Sequence, residues 1–378
     1  MVPGRPRHGY SQAHQGIHPL DPLIHPVQRF QPLPHPLGSP PYHFDLKNVI
    51  PNIDELTAKA GKLVLHTVGD VGGIKQPAYQ MSVAEAMIKD LANPKQTDRP
   101  LFFYVLGDVV YFNGEYIDYY AQFYEPYSHY GAPILSIPGN HDGDPVAGDT
   151  SLNGWVKYFM TAHPHIDPQS GDAPRVTLSL PNVYYTIVAP FATIIGMYTN
   201  VPEHGSVDSQ QIQWFTNELH TAPQDRALIV AMHHPIFSFD DHHGGSPNMA
   251  DVLQQAINDT KRVPNLVLTA HVHTYQRIEK DIVATGPTPF LVAGNGGYYN
   301  LHHLTVPNGY VDPENNAKLI YGNDQQHGYV TLSIDKKSIS GSATLVNQNG
   351  KVTANADTFS YPATALFLQK GQVISLGA

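Results

Sequence analysis

Five short stretches follow one another along the chain, GDVG, GDVVY, GNHD, VAMHH and AHVH, and each offers oxygen or imidazole donors. Their candidate ligands are Asp70, Asp108, Tyr111, Asn140, His233, His271 and His273. Oxygen donors together with three imidazoles suit a pair of adjacent, moderately hard metal ions. A carboxylate can bridge two cations, and Asp108, after a central predicted strand, is the natural bridge. Asn140 offers a neutral amide oxygen, which limits the negative charge around the ions. His271 and His273 stand two apart, so one loop can serve two ions. Taken singly these residues are ordinary, because a Gly-Asp pair marks a turn and a lone histidine is usually a satisfied core or surface residue. Their joint order is what demands explanation.

Such ligands need elements that bring them to one place. Apolar runs at Lys62 to Val68, Leu101 to Leu106, Pro133 to Ile137, Ala227 to Met232 and Asn265 to Thr269 predict buried strands. Each of the five stretches lies at or just after one of these strand ends, and in open α/β sheets the ligand crevice lies beyond the carboxyl ends of strands. Ser82 with Glu85 predicts a capping box opening one helix, with Met87, Ile88 and Leu91 inward and Asn93-Pro94 as its stop. Asp208 with Gln211 predicts a second, burying Ile212, Phe215 and Leu219. After about Lys280 helical periodicity gives way to strands at Phe290 to Ala293, Gly328 to Ile334, Ser338 to Val346 and Lys351 to Phe359, the last two joined by the hairpin connection Asn347 to Gly350. Strand–helix alternation followed by a β-rich end predicts an α/β fold of two packed mixed β-sheets flanked by helices.

Composition narrows the function. A net charge of -10 opposes a nucleic-acid or anionic-membrane surface, so an anionic substrate would need a local positive source such as bound cations. With no cysteine, disulfides, thiolate sites and cysteine nucleophiles are excluded. No apolar stretch reaches the roughly 20 residues that span a bilayer. The longest, Thr186 to Tyr198, is broken by Pro190. Pro and His interrupt the N-terminus too often for a signal peptide, which predicts a cytoplasmic protein, or a secreted or periplasmic one whose leader has been removed.

Residues 1–44 are rich in Pro and His and predict an extended arm, ahead of a single domain over 45–378. The arm carries His8, His14, His18, His25, His35 and His43, too irregularly spaced for a metal tract. Ile17, Leu20, Leu23, Ile24, Val27 and Phe30 give it apolar anchors, which favour docking on its own domain or, in a homo-oligomer, on a neighbouring subunit.

The five stretches resemble the calcineurin-like metallophosphoesterases, and within them the purple acid phosphatases. The family opens with Asp-x-His; here Gly72 replaces that His, and Tyr111, three residues after Asp108, stands where purple acid phosphatases place a compensating tyrosine. AHVHTYQR, the GNGG of Gly294 to Gly297 and HGYVTLSI extend the similarity over roughly Gly61 to Phe359, with Ala270 and Gln276 in place of the usual Gly and Glu. The resemblance implies a four-layer αββα sandwich. It also implies Fe(III) on Asp70, Asp108, Tyr111 and His273, and a divalent Fe, Zn or Mn on Asp108, Asn140, His233 and His271. It further implies catalytic roles for His141, beside Asn140, and for His242 and His243, nine and ten residues after His233. His234 points away from His233 on strand alternation and is read as structural.

Two metals about 3.5–4 Å apart can clamp both oxygens of an in-line displacement at phosphorus and supply hydroxide near neutral pH or below. The expected activity is therefore hydrolysis of a small-molecule phosphate monoester. A phosphodiesterase acting on a cyclic nucleotide or lipid headgroup, a Tyr–Fe(III) redox or metal-binding protein, and a binding protein whose arm blocks the crevice are the alternatives.

Overall fold

The computed structural model describes residues 29–377. The anchors Ile17, Leu20, Leu23, Ile24 and Val27, and His8, His14, His18 and His25, lie outside the described residues. Two large sheets dominate. The six-stranded sheet runs, in spatial order, Val352–Pro362 (β15), Ser338–Val346 (β14), His327–Ile334 (β13), Leu63–Val68 (β2), Phe103–Leu106 (β3) and Ile134–Ile137 (β4). The eight-stranded sheet runs His43–Asp45 (β1), Tyr185–Ala189 (β5), Ala192–Gly196 (β6), Ala227–Ala231 (β7), Leu266–Thr269 (β9), Gly286–Ala293 (β11), Tyr275–Val283 (β10) and Lys318–Asn323 (β12). A small pair joins Arg262–Val263 (β8) to Leu366–Phe367 (β16). Both large sheets mix parallel and antiparallel pairs, and helices flank them.

One buried cluster draws on both sheets, Leu65, Val105 and Ile137 from one and Ile194, Ile229 and Leu268 from the other. Strands buried on both faces read as unbroken apolar runs, which is why the strand ends β2, β3, β4, β7 and β9 fall within two residues of those predicted. The same physics explains a missed pair. The run Thr186 to Tyr198 is two antiparallel strands, β5 and β6, folded back at Pro190-Phe191. No helix among the described residues is long and apolar enough to cross a membrane.

The first predicted helix start is corrected. The helix spans Ala78–Leu91 with Pro77 as its N-cap, so Ser82 lies inside it and no Ser82–Glu85 box opens it. Pro77, at φ -61°, already sets the helical angle. Asp208 does cap Ser209–Thr221, its side chain accepting from the Gln211 N–H; Phe215 and Leu219 are buried and Ile212 is half-buried. Phe30, expected as an anchor, is exposed. The neighbouring chain is nevertheless tied down. Gln31 exchanges two hydrogen bonds with the Asn200 side chain, Leu37 and Gly38 donate to the Pro181 carbonyl, and Leu33 packs on the core.

Candidate metal centre

β2, β3 and β4 from one sheet and β7 and β9 from the other end at the same edge. Hydrogen bonds stitch their loops together, with Asp70 N–H to the Gly107 carbonyl (3.0 Å), Ala270 N–H to the His233 carbonyl (2.9 Å) and Gly69 N–H to the Ala293 carbonyl (2.8 Å). Asp70 (φ 55°), Asp108 (φ 55°) and His271 (φ 65°) all adopt the left-handed region, unusual outside glycine. The sharp turn thus falls on the functional residues themselves, and held angles of this kind gather at sites where the surroundings over-determine them. In the Gly69-Asp70 pair the left-handed angle therefore falls on the aspartate and not on the glycine. Gly69 is instead required by crowding, because a Cβ there would lie 2.4 Å from that of Ala270. Ala270 itself has an ordinary angle and costs nothing.

All seven expected ligands meet. Asp70 Oδ1 accepts from the Tyr111 hydroxyl at 2.9 Å, and His273 Nε2 lies 3.4 Å from that hydroxyl and 3.5 Å from Asp70 Oδ1. Asn140 Oδ1 lies 2.9 Å from His233 Nε2 and 3.0 Å from His271 Nδ1. Asp108 Oδ2 stands 3.3 Å from His233 Nε2, and Asp70, Asp108 and His233 present ligand atoms within 4.8 Å of one another. Backbone carbonyls set the ring tautomers. His233 Nδ1–H donates to Leu106, His273 Nδ1–H to Asn300 and His141 Nδ1–H to Phe112, which makes Nε2 the nitrogen each ring turns away from its backbone anchor.

Burial drives the electrostatics. It pushes Asp70 up to about 7 against the pull of His233. Burial would raise Asp108 too, but His233 and His141 outweigh it and hold that carboxyl below its usual range. His233 is driven up to about 9, Asp108 overcoming burial. Burial, then the His243 imidazole, keeps His271 and His273 well below normal. Tyr111 is held well above a free phenol by burial and by Asp108 and Asp70.

Cations fit these residues. Asp108 Oδ2 is buried without a hydrogen-bond partner among the described residues. Buried polar atoms are otherwise nearly always satisfied. Asp108 Oδ2, His271 Nδ1 facing Asn140, and the Nε2 atoms of His233 and His273 are the atom types an ion would take.

His141 is half-buried, its Nε2 3.9 Å from Asp108 Oδ2 and its ring 4.5 Å from that of Tyr111. His243 lies over His271, with centroids 4.1 Å apart. His242 stands further out, exposed, against His243 and His302. His234 turns away to Thr199 Oγ1 at 2.7 Å.

Several residues escaped the sequence reading. Asp142, in the quoted GNHD, accepts from the backbone N–H groups of Val109, Val110 and Gly139 and so locks two ligand loops together. Gln122 clamps the Tyr111 backbone, accepting from its N–H at 2.9 Å and donating to its carbonyl at 2.6 Å. Tyr298, directly after GNGG, lies 4.3 Å from the Tyr111 ring and 4.5 Å from His273. His302 lies 4.4 Å from His273 with no spacing signal to announce it. A cleft of about 590 Å³ lined by Phe44, Ile134, Tyr158 and Arg175 sits instead at the start of β4, where Arg175 is already bonded to the carbonyls of Tyr127, Tyr130 and Ala132.

Solved structures share this architecture. A purple acid phosphatase from yellow lupin seeds superposes with a TM-score of 0.56 at 17% identity, covering 79% of this chain and 53% of the lupin chain, so this chain spans about half of that enzyme. GAP50, described as the anchor in the inner membrane complex of Plasmodium, gives 0.56 at 13% identity over 80% and 89% of the two chains. PhoD gives 0.50 at 13% identity over 82% and 72%. At such identities the likeness is one of fold, and a fold shared by a phosphatase and an anchor does not carry its activity with it. The sequence match is more direct: the calcineurin-like phosphoesterase model covers residues 65–275, from within β2 to the first residue of β10 and across all five ligand loops, and the chain belongs to that family.

Proposed function

We propose that this protein is a two-metal hydrolase of phosphate monoesters of the purple acid phosphatase type. The observation that carries the reading is the shared volume of Gly72 and Tyr111. A Cβ at position 72 would lie 2.7 Å from Tyr111 Cδ2 and 2.6 Å from Gln122 Oε1, so the phenol occupies the space a histidine at 72 would need. Its hydroxyl is delivered to Asp70 and His273. Asp70, Asp108, Tyr111 and His273 would hold a ferric ion, and Asp108, Asn140, His233 and His271 a divalent Fe, Zn or Mn. A ferric ion favours anionic oxygen, which this first group supplies. Two ions bound there supply Lewis-acid charge at the phosphoryl oxygens and lower the pKa of water.

The chain's own residues do the rest. Asp142 and Gln122 hold the ligand loops, Leu106 and Asn300 orient two imidazoles, and His141 offers Nε2 from the wall beside Asp108. His141 and His243 would stabilise charge on the phosphoryl group and protonate the leaving oxygen. Elemental analysis, an absorption spectrum and turnover of p-nitrophenyl phosphate against bis(p-nitrophenyl) phosphate at acid pH test this. Iron with a second ion, a visible band and faster monoester hydrolysis are expected. Faster diester hydrolysis would transfer the site to the phosphodiesterases, and metal and colour without turnover to a non-hydrolytic role.

A further inference from the structure

The loop after β6 brings a carboxylate to this site that the metal-ligand set does not use. Glu203 accepts a hydrogen bond from His243 Nδ1. The His243 ring lies over His271 at 4.1 Å, inclined by 36°, and its backbone N–H is held by Asp240 Oδ2 at 2.8 Å. The Glu203 loop is itself anchored. Gly205 N–H donates to the Pro202 carbonyl (2.6 Å), Ser246 Oγ–H to the His204 carbonyl (2.5 Å) and Asn248 Nδ2–H to the Gly205 carbonyl (2.8 Å), while Asn200 is tied to Gln31. Backbone, ring and carboxylate of this pair are therefore all held in place. With Nδ1–H given to Glu203, Nε2 is the one ring nitrogen left, and it has no hydrogen-bond partner among the described residues.

We propose that Glu203 is a positioning residue for the leaving-group proton, fixing the His243 imidazole so that Nε2 faces the ester oxygen that departs. The inference rests on the phosphoester reading above. The donor is the His243 imidazolium, with one proton on each ring nitrogen: as the oxygen of the attacking water bonds to phosphorus, the ester P–O bond breaks, its electron pair passes to the leaving oxygen, that oxygen takes the Nε2 proton, and the proton released by the water restores the imidazolium. The Glu203 side chain is 49% exposed, and exposed ion pairs contribute little to stability, so its loss leaves the fold intact. What it supplies is ring orientation. Outer partners of this kind are worth about 10–100-fold where they orient a functional histidine.

The test compares E203A, E203Q, H243A and the double variant E203A/H243A in the metal-loaded enzyme, on an alkyl phosphate and on p-nitrophenyl phosphate. E203A should lower kcat about 10–100-fold on the alkyl ester, whose leaving group needs a proton, and far less on the nitrophenyl ester. KM and metal content should hold. E203Q keeps an acceptor oxygen and should recover most of the loss. The double variant should be no slower than H243A, since the two residues act as a unit. Equal losses on both esters, loss of metal, or multiplying effects in the double variant would overturn the proposal. A wild-type enzyme that turns over neither ester would instead sink the phosphatase reading. In that event the ring ¹⁵N spectrum of His243 in zinc-loaded protein still decides: a tautomer unchanged by E203A overturns the positioning role, and a shift to mixed tautomers sustains it.

Discussion

Gly72 and Tyr111 compete for one volume, and only one of them can carry a side chain there. Two outcomes follow from that exclusion. Tyr111→Phe removes the hydroxyl that meets Asp70 and His273 but keeps the ring packed against Tyr298 and His141, so the protein should fold, bind metal and lose its visible band. Gly72→Ala should displace the ring and weaken the same band with Tyr111 still present. An absorption spectrum of each variant beside its metal content checks both. Colour untouched by either change would remove the phenolate from the site.

Strand ends and the short elements after them place the ligands, and their grip is mostly backbone to side chain. The Asp142 carboxylate, one turn into the short helix Asn140–Gly143, holds three N–H groups of the Asp108 and Asn140 loops. Asp142→Ala leaves those donors buried and unpaired, at about 1–3 kcal/mol each before relaxation, and should cost about 3 kcal/mol of stability together with metal affinity. Asp142→Asn keeps an acceptor and should cost less. Chemical denaturation and metal titration of the two variants measure the difference; equal losses would mean that charge, not hydrogen bonding, is the grip. The one-turn π-helix Tyr120–Tyr124 carries Gln122 to the Tyr111 backbone, in keeping with the tendency of such turns to occur at functional sites.

Across the molecule, the site exists because two sheets end together, so contacts between the sheets bear on it. Arg277 on β10 donates to both carboxylate oxygens of Asp357 on β15, at 2.7 and 2.8 Å, and Tyr275 adds a third bond at 2.8 Å. Asp357→Ala takes the two-pronged partner from a mostly buried guanidinium, leaving it Glu279 at 3.3 Å and the Tyr361 hydroxyl, and should cost about 3 kcal/mol, whereas replacing both partners by apolar residues should cost less. Urea unfolding of the single and double variants decides. Metal loading should also be linked to pH. In the metal-free fold Asp70 and Asp142 lie near 7 against an ordinary 3.8, both through burial first, so between those values the folded chain holds protons that the unfolded chain has released. Stability then falls as pH rises through that window, and His233, raised to about 9, extends the fall above 6.5. Asp108, held low, acts oppositely and only in acid. Cations relieve the burial of ionised carboxylates, so the gain in melting temperature on metal addition should be larger near about pH 8 than near about pH 5. Melts of chelated and loaded protein at both values check the sign.

The ligand order was legible before any fold was known, because Asp70, Asp108, Asn140, His233 and His271 each follow an apolar run whose two-sided burial leaves an unbroken hydrophobic signature. The pairing of Gly72 with Tyr111 was legible only through the family resemblance, and the structure brings the two positions into one volume. Asp142, Gln122, His302 and Glu203 were not, for their value lies in backbone groups and rings brought near by chain closure, some of them far away in sequence, and no local period records that. Nor could spacing decide that Asp70, Asp108 and His271 themselves take the left-handed turn, because such an angle is sustained only by the contacts around it.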